Sequence, residues 1–287
     1  MTAATTTDRR KSSDRRSAGD RRRGADKRYV TLEVCPDELR LVLTVKPPGE
    51  SKPFVVARTT PWRQDASSLL TAAGRKELAR ALIALSNEER LSGCDTSILL
   101  GGAYCVTRTA SGATGAVDRQ LRELEERGQH YLSLGVGQVS MAKRQYPLDA
   151  RHMQGLLSVA NQLTINCVAE AAHEAGLSLK RVESSVVSLC RAHRLLHPRE
   201  DHPVLLVNLF EGGVTLGVAD QGRLLLEYMP GGSPRPAETA EIVARHLSRI
   251  QRFCARQHVG QSAQIQHVYL CGNQEQIEQA AAGFRKL

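Results

Sequence analysis

Two histidines that could share a metal ion lie four residues apart, at His193 and His197, with His202 beyond them. At this spacing both imidazoles lie on one face of a helix and can bind one Zn²⁺. The intervening residues lack the glutamate of a zinc-peptidase motif, and Pro198 ends the predicted helix. We therefore interpret this segment as a polar connection and predict no metal site.

A glycine-rich segment at 111–115 has the small residues of a phosphate-binding loop, but no lysine follows it. It fails the spacing of a P-loop, and we interpret it as a flexible loop. The sequence also has no G-x-S-x-G motif, paired catalytic carboxylates or Cys/His dyad at motif spacing. The residues therefore offer no case for covalent catalysis.

Four arginines recur at spacings of 4, 3 and 4, which places them on one face of a predicted helix: Arg245, Arg249, Arg252 and Arg256. Such a face could dock an acidic partner helix. A solvated face is the simpler interpretation, with Glu241 and Arg245 as an i, i+4 pair and the last arginines favourable near the helix C-terminus. We favour the solvated face.

Seven cysteines are scattered through apolar segments, and none forms a CxxC pair, which excludes a zinc ribbon by spacing. An odd number in a chain of this size predicts buried, reduced thiols in a cytosolic protein. Their positions are Cys35, Cys94, Cys105, Cys167, Cys190, Cys254 and Cys271.

The composition is that of a globular protein with a sizeable core. The chain has 287 residues, of which 41% are hydrophobic, enough for one large domain or two lobes. No apolar run approaches the roughly 20 residues of a membrane span, so we predict none. The charged N-terminus has no apolar segment of the kind found in a secretory signal peptide.

The positive charge is concentrated in the first 28 residues, which hold ten Lys and Arg against four Asp, a net +6 of the total +9. An Asp-basic-basic unit recurs every six residues from Asp8, a period that matches no helical face and predicts a disordered tail. Residues 8–28 could contact anionic lipid, an acidic partner or nucleic acid, or could simply solvate the chain. Because the tail has no aromatic residue before Tyr29, stacking on single-stranded bases has no support.

Three short strands, a helix, a fourth strand and a glycine turn are predicted twice along the chain. The first set comprises strands at 29–34, 39–45 and 54–60, a helix at 68–91 and a strand at 96–100. The second comprises strands at 204–209, 214–219 and 223–229, a helix at 237–258, a strand at 266–271 and a last helix at 274–284.

The residues between the two sets are predicted to form an inserted α/β subdomain. Its predicted elements are a strand at 103–109, a helix at 117–127, a β-like stretch at 131–144, a long helix at 149–175, and a helix or strand-plus-helix at 182–196. Asp149 suits the N-cap of the long helix and Gly176 its C′ position. The predicted divisions are the tail 1–28, a first half 29–102, the insert 103–200 and a second half 201–287.

Duplicated βββαβ halves around an inserted α/β subdomain are the plan of the actin-like (ribonuclease H-like) ATPase fold. Over roughly 29–284 the chain resembles the type IV pilus assembly protein PilM family. The segments that carry the resemblance are Ala-Gly-Leu at 175–177, Val-Glu-Ser at 182–184, the strand turn at 208–215 and the Gly-Gly pair at 231–232.

The resemblance implies a nucleotide site whose first turn is altered. The family's DIGSSSIK falls on 33–40, where Glu33 and Arg40 keep the charges of the aspartate and the lysine. Cys35 replaces the glycine that lets backbone N–H groups approach phosphate, and Pro36 removes one such donor. The next two residues are acidic and would repel phosphate at close range.

The other two turns of the implied site depart from the family as well. Asn208 replaces a carboxylate, and Phe210 puts a ring where a glycine is expected. The vestigial nucleotide site comprises Glu33, Arg40, Asn208, Gly212, Gly213, Thr215 and Gly272. We expect no resident cofactor. We also expect that ATP and Mg²⁺ bind weakly or not at all, and that there is little or no hydrolysis.

By resemblance, the chain would be a cytoplasmic, non-enzymatic scaffold of a type IV pilus or type II secretion-like assembly, peripheral to the inner membrane. A groove between subdomains would bind the cytosolic peptide of a single-span inner-membrane partner. Two alternatives stay open: a working ATPase or kinase-like protein of the same fold, and a nucleic-acid-associated protein that acts through the tail.

Overall fold

The computed structural model describes residues 27–47, 53–62, 68–210, 213–232, 235–257 and 264–285. The predicted tail, apart from its last two residues, lies outside these ranges. Those two residues already belong to the first strand, and Arg28 donates to the carbonyl oxygen of Glu89 at 2.8 Å. The first described strand therefore includes the last two residues of the segment predicted to be disordered.

The described strands, in chain order, are β1 (Lys27–Val34), β2 (Glu38–Lys46), β3 (Phe54–Pro61), β4 (Asp95–Leu100), β5 (Cys105–Ala113), β6 (Val139–Pro147), β7 (His152–Asn161), β8 (Ser178–Ser184), β9 (Val204–Phe210), β10 (Gly213–Asp220), β11 (Arg223–Tyr228) and β12 (His267–Cys271). The helices are α1 (Ala72–Glu88), α2 (Thr114–Gly128), α3 (Gln162–Glu174), α4 (Ser185–Leu196), α5 (Thr239–Gln257) and α6 (Gln274–Phe284).

The first half is a five-stranded sheet in the order β3-β2-β1-β4-β8, covered by α1 and α3. In β1, alternate residues are buried, as expected for a strand with one face on the core. Helix α1 begins after Thr71, whose hydroxyl accepts the Gly74 N–H at 3.0 Å. Its apolar side, which includes Leu78 and Leu82, packs into the core beneath it.

The second half is a four-stranded sheet in the order β11-β10-β9-β12, with helices on both faces. Leu205 and Val207 of β9 pack in the core that includes α5, whereas Val204 and Leu206 pack in the core that includes α4. Because both faces are covered, every residue of β9 and β10 is buried. The strands predicted at 214–219 and 223–229 form a hairpin, β10 and β11, whose turn has Gln221 and Gly222 at positive φ.

A third sheet, in the order β5-β7-β6, lies between the halves in the sequence and packs against α2. The predicted helix at 149–175 is wrong in its first part, because β7 occupies 152–161 and α3 begins only after Asn161. Leu156 packs in the core beside α4, and Leu157 packs beneath α2, so adjacent apolar residues of β7 serve two different cores. Such a run along the sequence has the same appearance as a buried helix.

The segment predicted as a helix or strand-plus-helix is a strand followed by a helix, β8 and α4. Strand β8 pairs with β4 in parallel, and α3 packs on α1. Strand β8 and helix α3 fall within the predicted insert 103–200, but they join the sheet and the core of the first half. The separate three-stranded layer therefore comprises only the residues up to the end of β7.

Candidate functional site

The turn between β1 and β2 places an acidic and a basic side chain next to each other. Glu33 and Arg40 are directly opposite in the antiparallel register. Between them the chain closes a tight turn in which the Cys35 N–H donates to the Glu38 carbonyl at 3.0 Å. Trp62 fixes the turn from outside, since its indole N–H donates to the carbonyl of Cys35 at 3.0 Å.

The second half faces this turn with the end of β9 and the start of α6. Asn208 is buried near the end of β9, directly opposite Thr215 on β10. Helix α6 begins at Asn273, whose side chain accepts the Gln276 N–H while the Gln276 side chain accepts the Asn273 N–H. This capping box holds the side-chain oxygen Oε1 of Gln276 at the N-terminus of α6, where it faces the first half.

Arg40 joins the two halves through its guanidinium group. Its Nη1 lies 3.2 Å from Glu33 Oε2, and its Nε donates to Glu38 Oε1 at 2.5 Å, both within the first half. Its Nη2 donates across the cleft to the Leu209 carbonyl at 2.7 Å and to Gln276 Oε1 at 3.1 Å. We call these residues, together with Asn208, the Arg40 network.

Asn208 completes the network from the second half. Its side-chain amide donates to Glu33 Oε1 at 2.9 Å, so both oxygens of that carboxylate have partners. Asn208 therefore supplies an amide donor at this point, which a second carboxylate could not. Two carboxylates at this distance would repel each other.

The network is largely shielded from water, which shapes its electrostatics. Burial raises the pKa of the Glu38 carboxyl, and Arg40 opposes that shift. Burial alone would lower the pKa of Arg40, but the carboxylates of Glu33 and Glu38 raise it above its ordinary value. Burial also raises the pKa of the Cys35 thiol well above its usual range. Arg40 is therefore a permanent cation between the halves.

The structure brings three of the seven predicted site residues into contact: Glu33, Arg40 and Asn208. Thr215 is buried next to Gly102, Gly213 lies beneath the Phe210 ring, and Gly272 packs on Leu209. Gly212 lies outside the described residues. The sequence analysis missed the pairing role of Glu38 and overlooked Gln276 entirely, although the Asn-x-x-Gln spacing at 273–276 is a capping-box signature that follows a predicted strand.

The imidazole rings of His193 and His197, considered above for a metal site, pack against each other and against Tyr269. His193 lies 4.9 Å from His197 and 4.6 Å from Tyr269, centroid to centroid, and His267 Nδ1 is 3.0 Å from Glu200. Within the described ranges no group of three His, Cys, Asp or Glu side chains is arranged to hold a metal ion.

Most of the cysteines are buried, and the arginines of α5 are exposed. All seven cysteines lie in the described ranges, five of them buried and two partly buried. The four arginines of α5 are exposed, and Arg252 donates to the Ser248 carbonyl within its own helix. A solvated face accounts for them.

No protein-family model matches the chain, and no curated protein matches it in sequence. Solved structures do match. A structure titled PilM-PilN type IV pilus biogenesis complex is 15% identical, covers 90% of this chain and 85% of that one, and has a TM-score of 0.62. A Bacteroides thetaiotaomicron protein described as having an actin-like ATPase fold and unknown function is 9% identical, covers 91% and 88%, and has a TM-score of 0.52.

A third structure, the cytoplasmic domain of EpsL from the Vibrio cholerae type II secretion system, is 12% identical, covers 85% and 84%, and has a TM-score of 0.45. The first two similarities confirm the predicted fold class: the chain has an actin-like fold and resembles PilM in structure. Among the helices that the structure describes, none is both long and apolar enough to span a membrane.

The residues of the cleft do not fit the Mg²⁺-nucleotide of an actin-like ATPase. Phosphate oxygens need free donors, but the Arg40 guanidinium is already bound to two carboxylates and two oxygens of the other half. A Cβ atom placed on Gly213 would lie 3.1 Å from the Phe210 ring. A Cβ atom placed on Gly272 would lie 3.1 Å from the Leu209 side chain. At these two described glycines, protein atoms therefore stand where a side chain would begin.

Proposed function

We propose that this chain is a non-hydrolysing actin-like scaffold of a type IV pilus-like inner-membrane assembly. The similarity to the structure titled PilM-PilN, which extends over nine-tenths of the chain, supports the assembly role. At 15% identity that similarity carries the fold, and the role is our inference from it.

The observation that carries the proposal is the Arg40 network. In a nucleotide-driven protein of this fold, the two halves would contact each other through the bound phosphates. Here Arg40 connects the halves directly. Its guanidinium group makes two hydrogen bonds within the first half and two to the second half. Such a cleft supports a fixed relation between the halves, which a scaffold needs and a nucleotide cycle does not.

The proposed partner is a single-span inner-membrane protein that presents a short cytosolic peptide, and the proposed location is the cytoplasmic face of that membrane. The basic segment 8–28 would add attraction to anionic lipid, worth about 1 kcal/mol per Lys or Arg near the surface. The lipid contact would supplement the peptide contact, because electrostatic attraction is weakened by salt.

Titration of the full chain with ATP in excess Mg²⁺ tests the absence of a nucleotide site. We expect no saturable heat and no rise in melting temperature at millimolar ATP, because four of the five guanidinium N–H donors of Arg40 are already bound. Micromolar binding that weakens in Glu33→Gln or Thr215→Val would instead favour the ATPase or kinase alternative.

Membrane association tests the scaffold role. We expect the full chain to float with vesicles that contain anionic lipid, and to lose most of this binding in high salt or when residues 1–26 are deleted. In its native cells, the chain should also co-purify with a single-span inner-membrane protein. Absence of both results would overturn the proposal, and steeply salt-dependent DNA binding that is lost with the tail would favour the nucleic-acid alternative.

A further inference from the structure

One side of the strands β1, β2 and β3 is open to solvent in the described structure. Alternate residues of β1, such as Val30 and Leu32, pack into the core beneath α1 and α3, so the residues between them point the other way. The register extends that side across the sheet, because Tyr29 lies opposite Thr44 and Thr44 lies opposite Val55. None of the apolar cores of the described residues includes a side chain from it. We call this side the outer face, and it includes Lys27, Tyr29, Val42, Thr44, Lys46 and Val55.

The outer face exposes apolar surface. Tyr29 is 51% exposed, Val42 40% and Val55 60%. They lie in two adjacent rows of cross-strand partners, since Val42 is two residues from Thr44, the partner of both Tyr29 and Val55. Single apolar side chains on a surface are ordinary, but a contiguous group rimmed by polar residues is typical of an interaction site. Because β3 is the edge strand of its sheet and is exposed over most of its length, this group extends to the sheet edge.

Two lysines lie together at one end of the outer face. Lys27 of β1 and Lys46 of β2 are directly opposite in the register, and both are exposed. Like charges in this arrangement destabilise a sheet. On β8 of the same sheet, Lys180 pairs with Asp95 at 3.3 Å, but within the described ranges neither Lys27 nor Lys46 is in an ion pair. An anion bound at this end would relieve the repulsion.

The lysine pair is continuous with the basic N-terminal segment. Lys27 belongs to the segment 8–28 and is the first residue that the structure describes. The first 28 residues carry a net +6 of the chain's +9. The outer face therefore begins where the basic segment joins the fold, and a surface that attracts the segment also attracts this face.

The residue types of the outer face favour a lipid surface over a protein surface. An ammonium group is a compact, strongly hydrated point charge, which suits mobile phosphate groups, whereas fixed carboxylates are bound better by the planar fork of arginine. A tyrosine side chain has an apolar ring and a polar tip, a combination that is enriched at membrane interfaces. A bilayer also requires no shape complementary to a flat sheet face, as a folded partner does.

We propose that the outer face lies against an anionic bilayer. Lys27 and Lys46 contact the lipid phosphates, and the side chains of Tyr29, Val42 and Val55 lie at the boundary between headgroups and acyl chains. The inference rests on the proposed function in taking the membrane as the surface. A basic segment alone holds a protein weakly and leaves its orientation free, since stable association takes two signals. The outer face supplies the second signal and fixes which side of the fold faces the lipid.

Vesicle binding of the full chain tests the lysine pair. On vesicles of phosphatidylcholine and phosphatidylglycerol, Lys27→Gln combined with Lys46→Gln should weaken binding at least about tenfold, because each basic residue near the surface contributes about fivefold. The same variant should be as stable in urea as the unsubstituted chain, or more stable, because the repulsion between the lysines is gone. Loss of the fold is then excluded as the reason for the weaker binding.

The matched control removes the same charge from exposed positions outside the outer face. Arg249→Gln combined with Arg252→Gln, both on α5, should weaken binding less than about twofold, because charges away from the contact are screened by salt. Vesicles of phosphatidylcholine alone should bind none of these proteins.

Fluorescence tests the apolar part of the contact. Lipids brominated on their acyl chains should quench the emission of Tyr29→Trp more than that of the unsubstituted chain, whose one tryptophan is Trp62. Val136→Trp, at a position that is 92% exposed and outside the outer face, should be quenched no more than the unsubstituted chain. Val55→Ser should also weaken vesicle binding several-fold, whereas Val136→Ser should not.

Loss of binding on deletion of residues 1–26, with the outer-face variants unchanged, would overturn this inference and leave the scaffold proposal standing. Equal weakening by the lysine and the arginine pairs would overturn it too. So would outer-face variants that lose self-association or a co-purifying protein at unchanged vesicle binding, since the occupant would then be a protein. Micromolar ATP binding would instead count against the scaffold proposal and leave these results unaffected.

Discussion

Replacing Arg40 by alanine is expected to lower the free energy of unfolding by about 3–5 kcal/mol, the cost of removing one partner from a buried ion pair. The substitution leaves the carboxylates of Glu33 and Glu38 without their cation. It also removes the donor that the Leu209 carbonyl and Gln276 share across the cleft. Urea unfolding of the full chain, followed by circular dichroism, measures the change.

Arg58→Ala is the matched control, because that arginine pairs with Glu89 at 3.1 Å but is half exposed. It should cost less than about 1 kcal/mol, as exposed ion pairs do. If the two variants lost similar stability, the Arg40 network would not hold the halves together. The argument for a fixed cleft would then fail, whatever the outcome of the ATP titration.

Glu227→Gln is expected to be more stable than the unsubstituted chain above pH 7, by up to about 3 kcal/mol. The pKa of Glu227 is about 7 in the fold and near 4.5 when unfolded, a difference worth 1.36 kcal/mol per unit. Because the folded state holds this proton over that interval, the stabilisation is complete below pH 4.5 and is lost as the pH rises through about 7. Glutamine has no such loss.

The measurement is the difference in unfolding free energy between this variant and the unsubstituted chain at pH 5, 6, 7 and 8. The other titrating groups cancel in that difference, and Glu123→Gln should give a flat difference across the range. A flat profile for Glu227→Gln as well would mean that its carboxyl ionises as an ordinary glutamate.

The Arg40 network shows how hydrogen-bond satisfaction separates a structural contact from a candidate binding site. Four of the five guanidinium N–H donors of Arg40 have acceptors supplied by one half or the other. Few donors therefore remain for a small ligand.

The amino-acid sequence by itself determined the local elements of both halves. The strands predicted at 29–34 and 39–45 are present as β1 and β2, and the helix predicted at 274–284 matches the whole of α6. These signals are local, because they depend on side-chain period and turn chemistry within a few residues. Their order along the chain, with the resemblance, was enough for the fold class.

The tertiary structure decided the rest. Nothing in the stretch 149–175 distinguishes a helix from a strand whose two faces lie in different cores, so β7 could be recognised only from its neighbours. Arg40 and its partners in the second half are separated by 169 and 236 residues, and Glu227 meets Thr107 across 120. Contacts at such separations follow from how the packed halves align side chains, and no local pattern of residue types specifies that alignment.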